Sequence, residues 1–436
     1  MGMRIWASIV AILVCGYGLF GRTFAYVGIP SAKVFIGDVI LAVFLVFCTR
    51  SIIRPWLAGL LYSTHFSSLF WSLVFFISYG SFELARGLTL DYPPLTALQD
   101  FVFNVYPLYF FVGLWTATAF PDLLHRIVRF LAVVSGIYGL AYYSFLRNNT
   151  LMLPGTNLPL IVGPSGSMAL LGLPCFERDL RRWWPLLGVS TFLVLAGQIR
   201  SEWLGLGAAL ALRGILLGKP QRFLWSLAFV AALLTVGYWT NFDIPSPQGR
   251  GGAISSREIL ARAVAAVDRD AAREYSSKNA DTYAGTVSWR QRWWQAIWSS
   301  VNSDIETTLL GHGYGYPIHQ LVPYLRQETE EAKTRTPHNI FYYALGYTGW
   351  IGVIIFYGFQ AALAILLLRV WRRTGQVFGI ISWLAALISG HFGNFFETPF
   401  GAIPYYLMMG MASTDLVRNT ANEHIVSAQL VPATRW

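Results

Sequence analysis

One apolar stretch follows another along this chain, each close to the length that crosses a bilayer, and that succession leaves little room for any fold but a bundle of membrane helices. A helix rises about 1.5 Å per residue, so roughly twenty apolar residues cross the hydrocarbon core. Such stretches run over 4–20, 34–49, 66–84, 100–118, 124–146, 158–176, 183–199, 203–217, 222–240, 343–370, 376–394 and 400–417. They predict an all-α integral membrane protein of about twelve transmembrane helices. The composition agrees: AVILMFWYC make up 55% of the residues, DEKR only 12%, and mean hydropathy is +0.48, values that exclude a soluble globular enzyme. Seventeen tryptophans suit a polytopic protein whose rings sit at two water–lipid interfaces. Cys15, Cys48 and Cys175 all fall in or at the end of apolar spans, an odd set that argues against a disulfide framework. The first span has no small-residue cleavage site after it, which favours an uncleaved anchor over a signal peptide.

Charge sets the orientation. With a cytoplasmic N-terminus, the cytoplasmic connections receive Arg50 and Arg54, Arg126 and Arg129, Arg178, Arg181 and Arg182, Arg213, Lys219 and Arg222, Arg369, Arg372 and Arg373, then Arg418. The short connections on the other side hold only Arg22, Lys33, Arg86, Arg147 and Arg200. Short loops rich in Lys and Arg resist translocation, so both termini are expected inside and the long polar segment 241–337 outside. The expected organisation is a bundle of about nine helices over 1–240, an outer loop domain over 241–337 and a bundle of about three helices over 338–436. No Gly-rich phosphate loop, zinc-type Cys/His spacing, nucleotide fingerprint or internal repeat is present. No nucleotide drives a reaction outside the cytoplasm, so a substrate there must arrive already activated.

Within the outer segment, Pro245 to Gly252 is an irregular exit from the membrane. Ser256 is a candidate N-cap for a surface helix running to Tyr275. From Val287 to Val301 comes a Trp-rich helix with Trp289, Trp293 and Ile297 on one face, and Arg290, Trp294 and Trp298 on another. Such a helix fits the headgroup level, where indoles anchor and the guanidinium groups of Arg290 and Arg292 can meet phosphate; an anchor with no catalytic part explains it equally well. Leu310-Gly311-His312-Gly313-Tyr314-Gly315 predicts a tight turn against the membrane surface. Thr336-Pro337-His338-Asn339 then places a titratable side chain where the next apolar span begins.

Trp289-Arg290 with Trp293, the Leu310–Gly315 run, and His338-Asn339 followed by Gly346, Gly349 and Gly352 together resemble the O-antigen ligase and polymerase superfamily. Gly197-Gln198-Ile199-Arg200-Ser201-Glu202 sits where that family places an outward-facing Arg, commonly preceded by Ser and followed by Gly. The neighbours here are Ile199 and Ser201, so only Arg200 carries over. The resemblance implies a membrane glycosyltransferase of the GT-C type. Its reaction would move a glycan from undecaprenyl diphosphate to a sugar hydroxyl of lipid A-core, at the periplasmic face of a bacterial inner membrane.

The residues suit that chemistry. A departing diphosphate needs its charge stabilised by a metal ion or by fixed guanidinium groups, and the outer loops hold no convincing Asp and Glu cluster for a metal. Arg200, Arg290 and, as a third, Arg292 are the expected diphosphate ligands, and no metal or cofactor is expected. His338 is the expected base for the acceptor hydroxyl, against the plainer alternative that it only hydrogen-bonds the loop. Gln198, His312, Tyr314 and Asn339 are candidate substrate-lining residues, with a turn-stabilising role equally open for His312 and Tyr314. Direct displacement would invert the anomeric carbon without a covalent intermediate.

Glu83 and Arg86, one turn apart, are expected to form a local ion pair. His391 and Glu397 border the last outer loop, while His65 and His125 fall on the cytoplasmic side. Membrane lipids are expected surroundings and nucleic acid is not an expected partner. The rival readings are a polymerase of the same superfamily, which would lengthen a lipid-linked chain, and a polysaccharide transporter or flippase, against which stands the lack of two matching halves.

Overall fold

The computed structural model describes residues 3–29, 34–49, 66–156, 158–245, 253–322 and 336–417. Arg50, Arg54, His65, Lys33 and Arg418, together with both chain ends, lie outside the described residues. What is described is almost wholly helical. The membrane part opens with α1 (Met3–Ala25), α2 (Ile36–Thr49), α3 (Ser67–Thr89), α4 (Pro94–Val105), α5 (Tyr109–Ala119) and α6 (Leu123–Ala141). It continues with α7 (Ser167–Phe176), α8 (Trp184–Gly197), α9 (Arg200–Leu216) and α10 (Pro220–Trp239). Four short to medium helices follow in the polar segment: α11 (Ser256–Val264), α12 (Arg269–Tyr275), α13 (Ala280–Val301) and α14 (Ile305–Leu310). The bundle resumes with α15 (Ile340–Thr374), α16 (Phe378–Phe392) and α17 (Pro399–Ala412).

Among the described residues six helical stretches are long and apolar enough to cross a membrane: Arg4–Ala25, Ser67–Thr89, Pro94–Ala119, Leu123–Leu146, Pro220–Trp239 and Ile340–Thr374. Four shorter apolar helices accompany them. The protein is therefore a multi-pass membrane protein; among the described residues fewer helices reach full crossing length than there are apolar stretches in the sequence. One difference has a clear cause. The stretch 158–176 becomes helical only at Ser167, because Gly163, Pro164 and Gly166 precede it and proline removes a backbone donor that a helix needs. Another stretch, 100–118, is two helices joined by a 3₁₀ turn over Tyr106–Leu108 around Pro107.

The expected surface helix of the polar segment is capped one residue earlier than the candidate Ser256 and is split. Ser255, not Ser256, accepts from the Glu258 backbone N–H at 3.3 Å. A new helix begins where Asp268 accepts from Asp270 and Ala271.

Two helices set the frame for the site. α15 is kinked at Gly349, whose backbone is left-handed at φ 60°. The kink removes carbonyl partners inside the helix, and the glycine loop takes them up: the N–H groups of His312 and Gly313 donate to the Gly346 and Tyr347 carbonyls, each at 2.9 Å. A side chain at Gly349 would strike the Leu309 carbonyl oxygen at 2.3 Å, so this close approach requires glycine. From the other side, Arg86 of α3 donates to the Leu310 and Gly311 carbonyls at 2.6 and 2.8 Å while paired with Glu83 at 2.8 Å. The expected local ion pair is thus also a long-range fastener.

Candidate active site

His338 stands at the outer end of α15 in a left-handed conformation, φ 55°, which is uncommon for a residue with a side chain. Its neighbours hold it there. The Trp294 indole N–H donates to the Pro337 carbonyl at 2.8 Å, and the Thr336 hydroxyl donates to the Asn394 side chain. Asn339 caps α15 by accepting from the Phe341 and Tyr342 N–H groups at 2.9 and 3.3 Å. Trp289 stands edge-on to the imidazole with ring centres 5.7 Å apart. Backbone strain fixed from several sides is a common property of functional positions.

The tryptophans of α13 therefore do more than anchor at headgroup level. Trp293 is buried and donates to the Ile318 carbonyl at 2.9 Å, and Trp294 stacks on Tyr342 with ring centres 5.3 Å apart. They bind α13 to the start of α15, and so place Arg290 beside His338.

Arg200 begins α9, just after Gln198 closes α8 in a left-handed conformation, φ 52°. Its guanidinium donates to the Thr286 hydroxyl at 2.8 Å and to the Arg262 carbonyl at 3.3 Å, bridging α13 and α11. Thr286 lies one turn before Arg290 on α13, so the two guanidinium groups converge. Arg290 donates to the Phe392 carbonyl at 3.1 Å, and its Nε is buried without a partner. Among the described residues no carboxylate pairs with either arginine. Burial first, and then the charge of Arg200, push the Arg290 guanidinium below its ordinary pKa. Burial likewise, followed by the charges of Arg290 and Arg22, brings His338 down to about 4. The imidazole is thus neutral at physiological pH beside a cationic group that, among the described residues, has no counter-charge, an arrangement that favours an anion.

The other expected site residues divide. Arg292 is exposed and stands about 200° around the α13 axis from Arg290, so the geometry does not bring it into the pair. Gln198 is buried near Arg200, donating to the Ala253 carbonyl at 2.8 Å with its own side-chain oxygen unpartnered. His312 stacks on Tyr316 at 4.2 Å and bonds Ser300 at 2.9 Å. Tyr314 is fully buried, with its hydroxyl on Asn104, so it faces the bundle core rather than an open surface.

Asn339 is committed to its cap. Of the last outer loop, Phe392 and Asn394 touch the site through Arg290 and Thr336. His391 instead bonds Tyr357 at 2.6 Å, and Glu397 accepts from the Phe395 N–H at 3.1 Å.

Sequence reasoning missed Arg262 and Arg22. The first supplies a carbonyl and a nearby charge to Arg200, and its guanidinium lies over the Tyr283 ring at 4.2 Å. The second acts on His338 from the end of α1. Neither belongs to a recognisable spacing, and Arg22 is more than three hundred residues from His338 in sequence. Among the described residues no group of three or more His, Cys, Asp and Glu side chains gathers to hold a metal.

Residues 185–357, which carry α8 through the kink of α15, match a family model described as O-antigen ligase. No curated protein matches the chain.

Proposed function

We propose that this chain, whose residues 185–357 match a family model described as O-antigen ligase, is an O-antigen ligase, transferring a glycan from undecaprenyl diphosphate to a sugar hydroxyl of lipid A-core. In this reading Arg200 and Arg290 clamp the diphosphate, and His338 takes the proton of the attacking hydroxyl. The transfer runs at the periplasmic face of the inner membrane, needs no metal and inverts the anomeric carbon. The convergence of two guanidinium groups, without a counter-charge among the described residues, on a neutral, conformationally fixed imidazole carries the proposal.

Each part has a stated chemical task. Charge grows on the diphosphate as the glycosidic bond breaks, and guanidinium groups already in place stabilise it without reorganisation. A bound diphosphate also changes the base. Its negative charge opposes the effect of Arg290 on His338, so the imidazole becomes a stronger base when the donor is seated. Arg292 is left outside the clamp because it lies on the far face of α13.

The test is reconstitution of purified protein with undecaprenyl-diphosphate glycan and lipid A-core in EDTA, scored by the gel shift of capped lipopolysaccharide. Capped core is expected. Longer lipid-linked polymer formed without any core acceptor would assign the chain to the polymerases instead, and loss of product on chelation would overturn the metal-free clamp.

A further inference from the structure

A charged cavity, of about 600 Å³, lies between the start of α6 and the connection from α7 to α8. His125 and Arg129 line one side; Glu177, Arg178, Arg182 and Trp183 line the other. It sits at the opposite end of α8 from Arg200, and fourteen residues of helix put about 20 Å between the two places. The cavity therefore cannot serve the same phosphate groups as the arginine pair.

Glu177 organises it. This side chain is 8% exposed and takes both a bond from Arg129 Nη2 at 2.8 Å and one from Arg129 Nε, while His125 Nε2 meets the same carboxylate at 2.9 Å. The Arg129 hydrogen bonds, followed by that of His125, hold the carboxyl down at about 2. Arg129 also lies over the Trp183 ring at 5.9 Å, and His125 stacks on Phe176 at 5.5 Å. An arginine serving only to mark the inner side of a membrane protein needs none of this fixation.

Arg178 and Arg182 stand at the rim, and Arg182 is 86% exposed with a 3.5 Å contact to Asp179. Three guanidinium groups thus face two carboxylates, and the mouth keeps a net positive charge. Trp183 and the exposed Trp184 mark the level at which indole rings prefer to sit in a bilayer.

A cavity between membrane helices that opens at this level and presents guanidinium groups is suited to a phosphate on a lipid, whose two acyl chains would run along the neighbouring apolar helices. We propose that this cavity binds the phosphodiester headgroup of an anionic phospholipid, with Arg178 and Arg182 as the charged ligands and Arg129, fastened to Glu177, shaping the wall and offering only the donors that Glu177 leaves free. The proposal is independent of the reaction at the other end of α8.

The experiment is native mass spectrometry of the full chain released from nanodiscs of phosphatidylcholine doped with cardiolipin or phosphatidylglycerol. Wild type, the double variant Arg178→Gln/Arg182→Gln and His338→Ala are compared, each with and without inorganic phosphate. Wild type and His338→Ala should retain anionic lipid equally, and the double variant should lose roughly fivefold in retention for each arginine removed. Millimolar phosphate should displace little. Equal retention in wild type and double variant, or no preference for anionic over zwitterionic lipid, would overturn the proposal. Protection against thermal unfolding by inorganic phosphate alone, with no lipid preference, would overturn the lipid source and assign the cavity to a soluble phosphate.

Discussion

Arg86 and Arg290 both project from helices on the side of the membrane that holds the polar segment, yet their surroundings are opposite. Arg86 is paired with buried Glu83 and spends its remaining donors on two backbone carbonyls of the glycine loop. Arg290 has one carbonyl, an indole face at 5.7 Å and no carboxylate among the described residues. The same side chain is a fastener in one place and an unneutralised charge in the other. A half-buried charge without a carboxylate is costly, so its persistence beside a neutral imidazole is what a ligand supplying the missing charge would explain.

The contrast is tested most severely at His338, which senses Arg290 and not Arg86. His338→Ala should lower transfer by about 10²–10⁴-fold, the usual worth of a positioned base, with the thermal midpoint in detergent nearly unchanged. Normal turnover in that variant would leave the arginine pair without a reaction to serve. Next, Arg86→Ala strands Glu83 in the bundle and frees the loop, so a loss of about 3 kcal/mol in stability is expected by thermal or denaturant unfolding. If Arg86→Ala instead left stability intact and abolished transfer, Arg86 would belong to the site and the comparison would fail.

A smaller effect concerns pH. Burial and Arg290 lower His338, so the imidazole is free to accept a proton down to about pH 4, and the acid limb of kcat/KM should lie well below the ordinary 6.5. Removing the charge with Arg290→Gln should move that limb upward, because one of the two named charges is gone while the burial remains. The linkage has the matching sign: the unfolded chain binds the proton more readily between pH 6.5 and 4, so this residue costs stability as pH falls through that window. Smallest of all, Arg292→Ala should change transfer by less than about twofold, as for a surface position away from special features. A large loss there would return Arg292 to the clamp.

The sequence made the individual parts legible more readily than their partnerships. Apolar length announced the bundle, and Arg200, Arg290 and His338 were singled out from motifs, though nothing in their order shows that the fold brings them near one another. Three things were hidden because they depend on contacts between distant segments. The Trp-rich helix looked like an interfacial anchor, since nothing in its own spacing shows that Trp294 would hold Pro337. Glu83 and Arg86 looked local, since a helix pair one turn apart carries no sign of a loop more than two hundred residues on. Tyr314 was a candidate for lining the substrate site or for stabilising the turn, and its glycines permit the backbone turn that buries it against Asn104. By contrast, the break before Ser167 was written locally in Gly163, Pro164 and Gly166, and the apolar run obscured it.

The central claim is that Arg200 and Arg290 hold a lipid diphosphate beside a neutral imidazole, and equilibrium binding of the undecaprenyl-diphosphate glycan to purified protein tests it most directly. Arg290→Gln should weaken binding by tenfold or more, the worth of about 1.5–3 kcal/mol for a charged hydrogen bond, while His338→Ala should bind the donor as wild type does. Equal donor affinity in wild type and Arg290→Gln would contradict the account.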